Sequence, residues 1–242
     1  MKFYIIDGRS YTFFNDRLHY ASYRIKMNHI LLIAATEKEI APTIHYCDQH
    51  HTKEKNIDVL IAGIGLAFTT YHLTKYIQNT KPDLIIQAGI AGSLTNKYNS
   101  GDVVLIEKDF FADMGSMENN TFKDVFDLNL CHANDYPFSN KGLINIHKNI
   151  MDIFNLPRVI GISVNEITTH QSRIQLYKEK YHADVESMEG AAFHYVCLQQ
   201  KIPFVQIRSI SNMVGVRDKT KWNMKEAIQK LNVLLMDRIE RL

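Results

Sequence analysis

From residue 28 onward, apolar runs alternate with amphipathic stretches. Ile30-Leu31-Leu32-Ile33-Ala34 is an unbroken apolar run, the pattern of a strand buried on both faces. Val59-Leu60-Ile61-Ala62, residues 83–88, Val103-Val104-Leu105-Ile106, Val159-Ile160-Gly161-Ile162-Ser163 and residues 203–210 repeat that pattern. Between them, residues 66–79, 141–154, 171–180 and 188–200 suit helices. Thr36 with Glu39 and Asn223 with Glu226 have capping-box spacing. The second pair opens a helix with Ala227, Ile228, Leu231, Leu234, Leu235 and Ile239 on one face. Residues 109–140 are polar and aromatic with little periodicity, which predicts long loops over a site. Strand–helix alternation without a linker predicts an α/β fold: a single three-layer α/β/α domain, residues 27–242, with a central mostly parallel, mixed sheet. In such sheets ligands bind beyond the carboxyl ends of the strands.

Residues 1–26 do not fit this alternation. They are aromatic and polar, with no apolar core of a secretory leader. Two readings stay open: an extension upstream of a start at Met27, or an arm that packs on a partner subunit. The formal charge of +2 and the scattered basic residues point away from nucleic acid and membrane surfaces as partners. Three cysteines, Cys47, Cys131 and Cys197, have neither zinc nor disulfide-framework spacing. They read as reduced thiols, so the expected localisation is cytoplasmic. The eleven histidines include His50-His51 but no H-E-x-x-H spacing, so no metal site is expected.

The candidate chemistry collects at strand ends. Gly63-Ile64-Gly65 and Gly89-Ile90-Ala91-Gly92 each suit a strand-to-helix turn, where glycine lets backbone N–H groups approach a ligand. The first lacks the third glycine of a dinucleotide fingerprint and reads as a tight turn; for the second, turn and ligand contact both stand. Glu39 has the structural alternative of a capping carboxylate. Glu189 has that of a first-turn charge favoured by the helix dipole. Gly190-Ala191-Ala192 predicts close packing of the following helix. Arg208, next to an apolar run, needs a carboxylate partner or a ligand. Asn212 could simply close a turn. Each structural alternative holds singly; their joint placement at successive strand ends weakens all of them.

Four segments in order, Ala35-Thr36-Glu37-Lys38-Glu39-Ile40, Gln87-Ala88-Gly89-Ile90-Ala91-Gly92, Ser187-Met188-Glu189-Gly190-Ala191-Ala192 and Arg208-Ser209-Ile210-Ser211-Asn212, resemble the purine nucleoside phosphorylase and nucleosidase superfamily. The resemblance implies a nucleoside phosphorylase/hydrolase-like fold. The first segment is similar to the hydrolytic branch, whose water-holding glutamate matches Glu39; the Gly-Asp-Pro phosphate loop of the phosphorylases is absent. The ribose-binding methionine and glutamate match Met188 and Glu189, the arginine near water and ribose matches Arg208, and the purine-reading residue matches Asn212. Ile90, Ala91, Gly92 and Ser211 join the substrate site by the same match, and Ile167 is an expected purine contact.

Three departures point within the superfamily. Nucleosidases for methylthioadenosine and adenosylhomocysteine have aspartate where Asn212 stands, serine where Ile90 stands, and Val-Glu-Met-Glu where this chain has Glu186-Ser187-Met188-Glu189. Ser211-Asn212-Met213-Val214-Gly215-Val216-Arg217-Asp218 with Trp222, and Phe111-Ala112-Asp113-Met114-Gly115, resemble futalosine hydrolases of menaquinone biosynthesis. The resemblance implies an N-glycosidase releasing hypoxanthine, with no cofactor, a small-molecule nucleoside as substrate, and a homo-oligomer, a dimer favoured. Arg217 is a candidate for the benzoate end of that substrate; an internal pair with Asp218 is its alternative. The rival readings are a methylthioadenosine/adenosylhomocysteine or aminofutalosine nucleosidase, a phosphorylase, and a non-catalytic nucleoside-binding protein.

Overall fold

In the computed structural model, residues 27–49, 56–119, 121–216 and 222–242 are described in full, and residues 3–6, 9–14 and 17–19 by backbone alone. The sequence expectations for His50-His51, Arg217 and Asp218 lie outside the described residues. Strands β1 (Phe3–Ile6), β2 (Arg9–Phe14) and β3 (Arg17–His19) pair antiparallel in their own sheet.

The main sheet begins with β4 (His29–Ala34), followed by α1 (Glu37–Gln49), β5 (Asn56–Ile61), α2 (Leu66–Asn79) and β6 (Leu84–Ser93). β4 pairs in parallel with both β5 and β6. Period-two alternation divides β4 between two cores. Ile30, Leu32 and Ala34 join Ile40, Leu231 and Leu235, while Leu31 and Ile33 join Leu73, Phe193 and Phe204. Each fully buried side chain of this kind stabilises the fold by roughly 1.5–3 kcal/mol, which is why an unbroken apolar run specifies a strand covered on both faces.

The second half does not continue as an open, mostly parallel sheet. Here β7 (Val103–Phe111), β11 (Arg158–Ser163), β12 (Val185–Ser187) and β13 (Phe204–Met213) return to β6. β6 pairs β13, β13 pairs β7, β7 pairs β11, β11 pairs β12, and β12 pairs β6, so the strands close a ring. The β12–β6 and β13–β7 pairings are antiparallel, and so is that of the short β10 (Leu143–Ile144) with β7. Ala91, Val104, Ile106, Val159, Val185 and Ile210, from all five ring strands, pack together as its filling. The expected α/β fold stands, with its sheet mixed and barrel-like.

Helices α3 (Lys148–Phe154), α4 (Gln171–Tyr181), α5 (Gly190–Gln200) and α6 (Met224–Arg241) complete the layers. The helix predicted over 141–154 is confined to α3. Leu143 and Ile144 are taken by β7, and a Cβ at Gly142 would lie 2.1 Å from the Lys108 side chain. Residues 109–140 continue β7 and form the small β8 (Gly115–Glu118)–β9 (Thr121–Asp124) hairpin, and none of the described ones lines the main cavity. No helix among the described residues is long and apolar enough to cross a membrane.

Candidate active site

A cavity of about 250 Å³ opens where β4, β6, β12 and β13 end. Glu39, Ile90, Ala91, Gly92, Ile167, Met188, Glu189, Ser211 and Asn212, all expected from sequence, line it. Arg208 lies beneath its floor rather than on its wall.

Glu39 does two jobs. One carboxylate oxygen, Oε2, accepts from the Thr36 backbone N–H at 2.9 Å and its hydroxyl at 3.0 Å, which is half of a capping box. Oε1 accepts from Ile90 N–H at 3.1 Å. The side chain is only 8% exposed yet reaches the cavity, so cap and site residue are the same group.

Gly89 to Gly92 form no turn: they continue β6. Their glycines serve close approach. A Cβ at Gly89 would sit 2.5 Å from Arg208 Nη1 and 2.9 Å from Glu39 Oε1. Gly63 and Gly65 do form a turn, with φ of +86° and +99°, and the Gly65 N–H donates to Glu189 Oε1 at 3.2 Å.

Glu189 precedes α5, with its other oxygen 3.4 Å from Arg208 Nη2. Burial raises its carboxyl above the usual range; Arg208 opposes this and Glu39 adds to it. Arg208 is 1% exposed and also donates to Gln87 Oε1 at 3.1 Å. The guanidinium therefore has the carboxylate partner its burial demands. Its ion pair runs to Glu189, while Gly89 separates it from Glu39.

Close packing below α5 is equally literal. A Cβ at Gly190 would lie 2.1 Å from Gln206 and 2.2 Å from Asp109. Asp109 accepts from Ser163 Oγ at 3.0 Å, and Ser163 Oγ accepts from Ala191 N–H at 2.7 Å. This buried chain holds the start of α5, and with it Glu189. Burial pushes the Asp109 carboxyl up to about 7.

β13 carries a register shift between Ile210 and Asn212. An extra residue in one strand breaks strict alternation, which is how the consecutive Ser211 and Asn212 both face the cavity. Asn212 Oδ1 accepts from Ser211 Oγ at 2.7 Å, and its amide nitrogen donates to Met213 O at 2.9 Å. The opposite orientation would set Oδ1 against a carbonyl. One amide hydrogen and one lone pair remain for a ligand.

Sequence reading missed several wall residues: Thr36 and Ile64 on one side, Thr168 and Glu186 on another, and Val214, Val216, Trp222 and Met224 around Asn212. Trp222 donates to Val216 O at 2.7 Å, which folds that wall back on the strand end. For Glu186 the one signal was its departure from Val-Glu-Met-Glu; its three-residue strand is too short for periodicity to place it.

Comparison with known proteins agrees with this architecture. The phosphorylase superfamily profile matches residues 29–240, and the chain belongs to that family. It is 27% identical over 175 residues to the futalosine hydrolase of Thermus thermophilus, covering 71% of this chain and 76% of that one. It is 29% identical over 167 residues to the 5'-methylthioadenosine/S-adenosylhomocysteine nucleosidase of Buchnera aphidicola, covering 66% and 68%. The native structure of Helicobacter pylori futalosine hydrolase superposes with a TM-score of 0.73 at 19% identity, over 89% of this chain and 99% of that one, and so shares the fold.

Proposed function

We propose that the protein is an N-glycosidase that hydrolyses futalosine to hypoxanthine and dehypoxanthine futalosine, a step of menaquinone synthesis. The pinned amide of Asn212 carries the choice of base. A departing 6-oxopurine offers O6 as an acceptor and N7–H as a donor, and the remaining donor and acceptor of Asn212 meet both. An amide cannot supply the proton that a departing adenine takes at N7. The similarity to futalosine hydrolases, at 25–27% identity, supports the same reading.

Glu39 acts as general base on the attacking water, with its carboxylate held at the cavity wall by Thr36 and Ile90. Such a base contributes roughly 10²–10⁴-fold. Glu189 holds the ribose hydroxyls and, as an anion, favours the positive ribosyl centre of an oxocarbenium-like transition state. Arg208 keeps Glu189 in place and opposes the upward pull of burial on its carboxyl. Met188, Ile90, Ala91, Gly92 and Ile167 shape the pocket, and Ser211 fixes the amide.

A second reading, a methylthioadenosine/adenosylhomocysteine nucleosidase, draws on the similarity to the Buchnera protein. The purified protein, incubated with futalosine, aminofutalosine, methylthioadenosine and inosine with and without phosphate, separates the two. Hypoxanthine from futalosine alone, independent of phosphate, is expected; adenine from methylthioadenosine at a comparable rate overturns the proposal.

A further inference from the structure

Glu186 has no role in the chemistry above, yet it is a buried carboxylate on the cavity wall, 6% exposed. Oε1 accepts from Thr168 N–H at 3.1 Å. Oε2 is buried and has no partner among the described residues. An unpaired buried carboxylate oxygen costs stability unless a donor reaches it.

Register fixes where it faces. Gly92 of β6 is the partner of Glu186 on β12 and of Asn212 on β13. Residues directly opposite across paired strands present their side chains on one face. A Cβ at Gly92 would lie 3.5 Å from the Asn212 amide nitrogen, which sets that amide on the same side. Glu186, Gly92 and Asn212 thus form a row across three strands. Two strand spacings, roughly 9.5 Å, separate the outer two backbones. Gly92 contributes no side chain between them, and Val214 covers it as an apolar floor. A flat bicyclic base laid on that floor would meet Asn212 along its O6/N7 side and Glu186 at the adjoining N1 position.

We propose that Glu186 is a specificity residue that reads position 1 of the purine, its free Oε2 accepting from N1–H of a 6-oxopurine. Adenine carries a bare acceptor at the same position and leaves the carboxylate facing a lone pair. The inference rests on the reading of Asn212 as the purine contact and adds a second, independent discriminator on the adjoining edge. Burial, and to a lesser degree the charge of Asp113, raises the Glu186 carboxyl; the hydroxyl and N–H of Thr168 oppose this. A donor arriving at Oε2 stabilises the ionised form in the same way.

The test is equilibrium binding of free hypoxanthine and free adenine to wild type, Glu186→Gln and Glu186→Asp, with thermal melts to confirm folding. Glutamine keeps the Thr168 contact and turns the free oxygen into a donor. The expected result is a loss of roughly ten- to a hundredfold in hypoxanthine affinity, the size of one hydrogen bond to a charged group, with adenine affinity unchanged or improved. Glu186→Asp withdraws the charge by one methylene and is expected to weaken hypoxanthine without helping adenine. Equal changes for both bases, or no change in either, overturn the proposal and leave Glu186 as a cap for Thr168. The readout needs no turnover: if futalosine is not cleaved but the bases respond as expected, the substrate assignment fails and the role of Glu186 stands.

Discussion

Replacing Gly89 with alanine tests whether the spacing of Arg208, Glu189 and Glu39 matters to turnover. Gly89 lies inside β6 and has no left-handed φ, so alanine meets no backbone strain there. On conformational entropy alone the change stabilises by about 0.4–1 kcal/mol. The new methyl, however, sits 2.5 Å from Arg208 Nη1, where ordinary contact begins near 3.4 Å. The guanidinium has to retreat by roughly 0.9 Å to restore van der Waals distance. It is fully buried and tied to Gln87 and Glu189, so it cannot swing into solvent. Overpacking of this kind costs about 1–3 kcal/mol, and a displacement near 1 Å in a reacting constellation costs on the order of 10² in rate. The expected outcome is a fold that melts within a few degrees of wild type, with kcat for futalosine down about a hundredfold. Steady-state kinetics beside a thermal melt reads both. A kcat within threefold of wild type in a folded Gly89→Ala protein refutes the claim that this geometry is tuned.

Other outcomes follow from neighbouring groups. Glu39→Gln removes the base and sets an amide N–H against either Thr36 N–H or Ile90 N–H; turnover is expected to fall by at least about 10² while hypoxanthine binding persists, and retained turnover would displace Glu39 from its role. Asn212→Asp places a carboxyl against Met213 O, which favours its neutral, proton-donating form; the ratio of adenine to hypoxanthine nucleoside cleavage is expected to rise, and an unmoved ratio argues against the amide as discriminator. Asp109 binds its proton more tightly folded, at about 7, than at its ordinary 3.8. Between those values the native state holds more protons than the unfolded one, so stability declines as pH rises through that window and levels off above it. The loss has an upper bound on the order of 4 kcal/mol. Asp109→Asn is expected to flatten the decline in urea midpoints between pH 5 and 8; an unchanged slope assigns it to other groups.

Much of this site was legible because the superfamily segments are short, contiguous and placed on strongly apolar strands. Glu39 announces itself by capping-box spacing, and the run before it can only be a covered strand. What sequence did not reveal depends on pairing between distant strands. Gly89 and Gly92 look like turn residues, because nothing local says that a guanidinium and a valine will press against their missing side chains. The closed ring was likewise hidden. One of its antiparallel joints is made by β12, with three residues, too short for periodicity to register; the other joins β13 to β7, a pairing between distant segments that no local pattern shows. Arg208 showed that it needed a partner but not that the partner was Glu189, nineteen positions earlier at the start of another helix.

Ring closure and site assembly are one event. β13 pairs β6 on one side and β7 on the other, so Arg208 stands beside Gly89 and beside Val104 at once. Through the first neighbour it reaches Glu189 and the space next to Glu39. Asp109, on the same strand as the second, holds Ser163 and the start of α5, the helix that Glu189 precedes. The register shift after Ile210 then turns Ser211 and Asn212 together into the cavity, while β12 closes on Gly92 from the far side. An open sheet with the same residues would leave Arg208 without its second flank and Glu186 without its row. The mixed topology, the feature furthest from the sequence expectation, is therefore what brings Glu39, Glu186, Glu189 and Asn212 into one cavity.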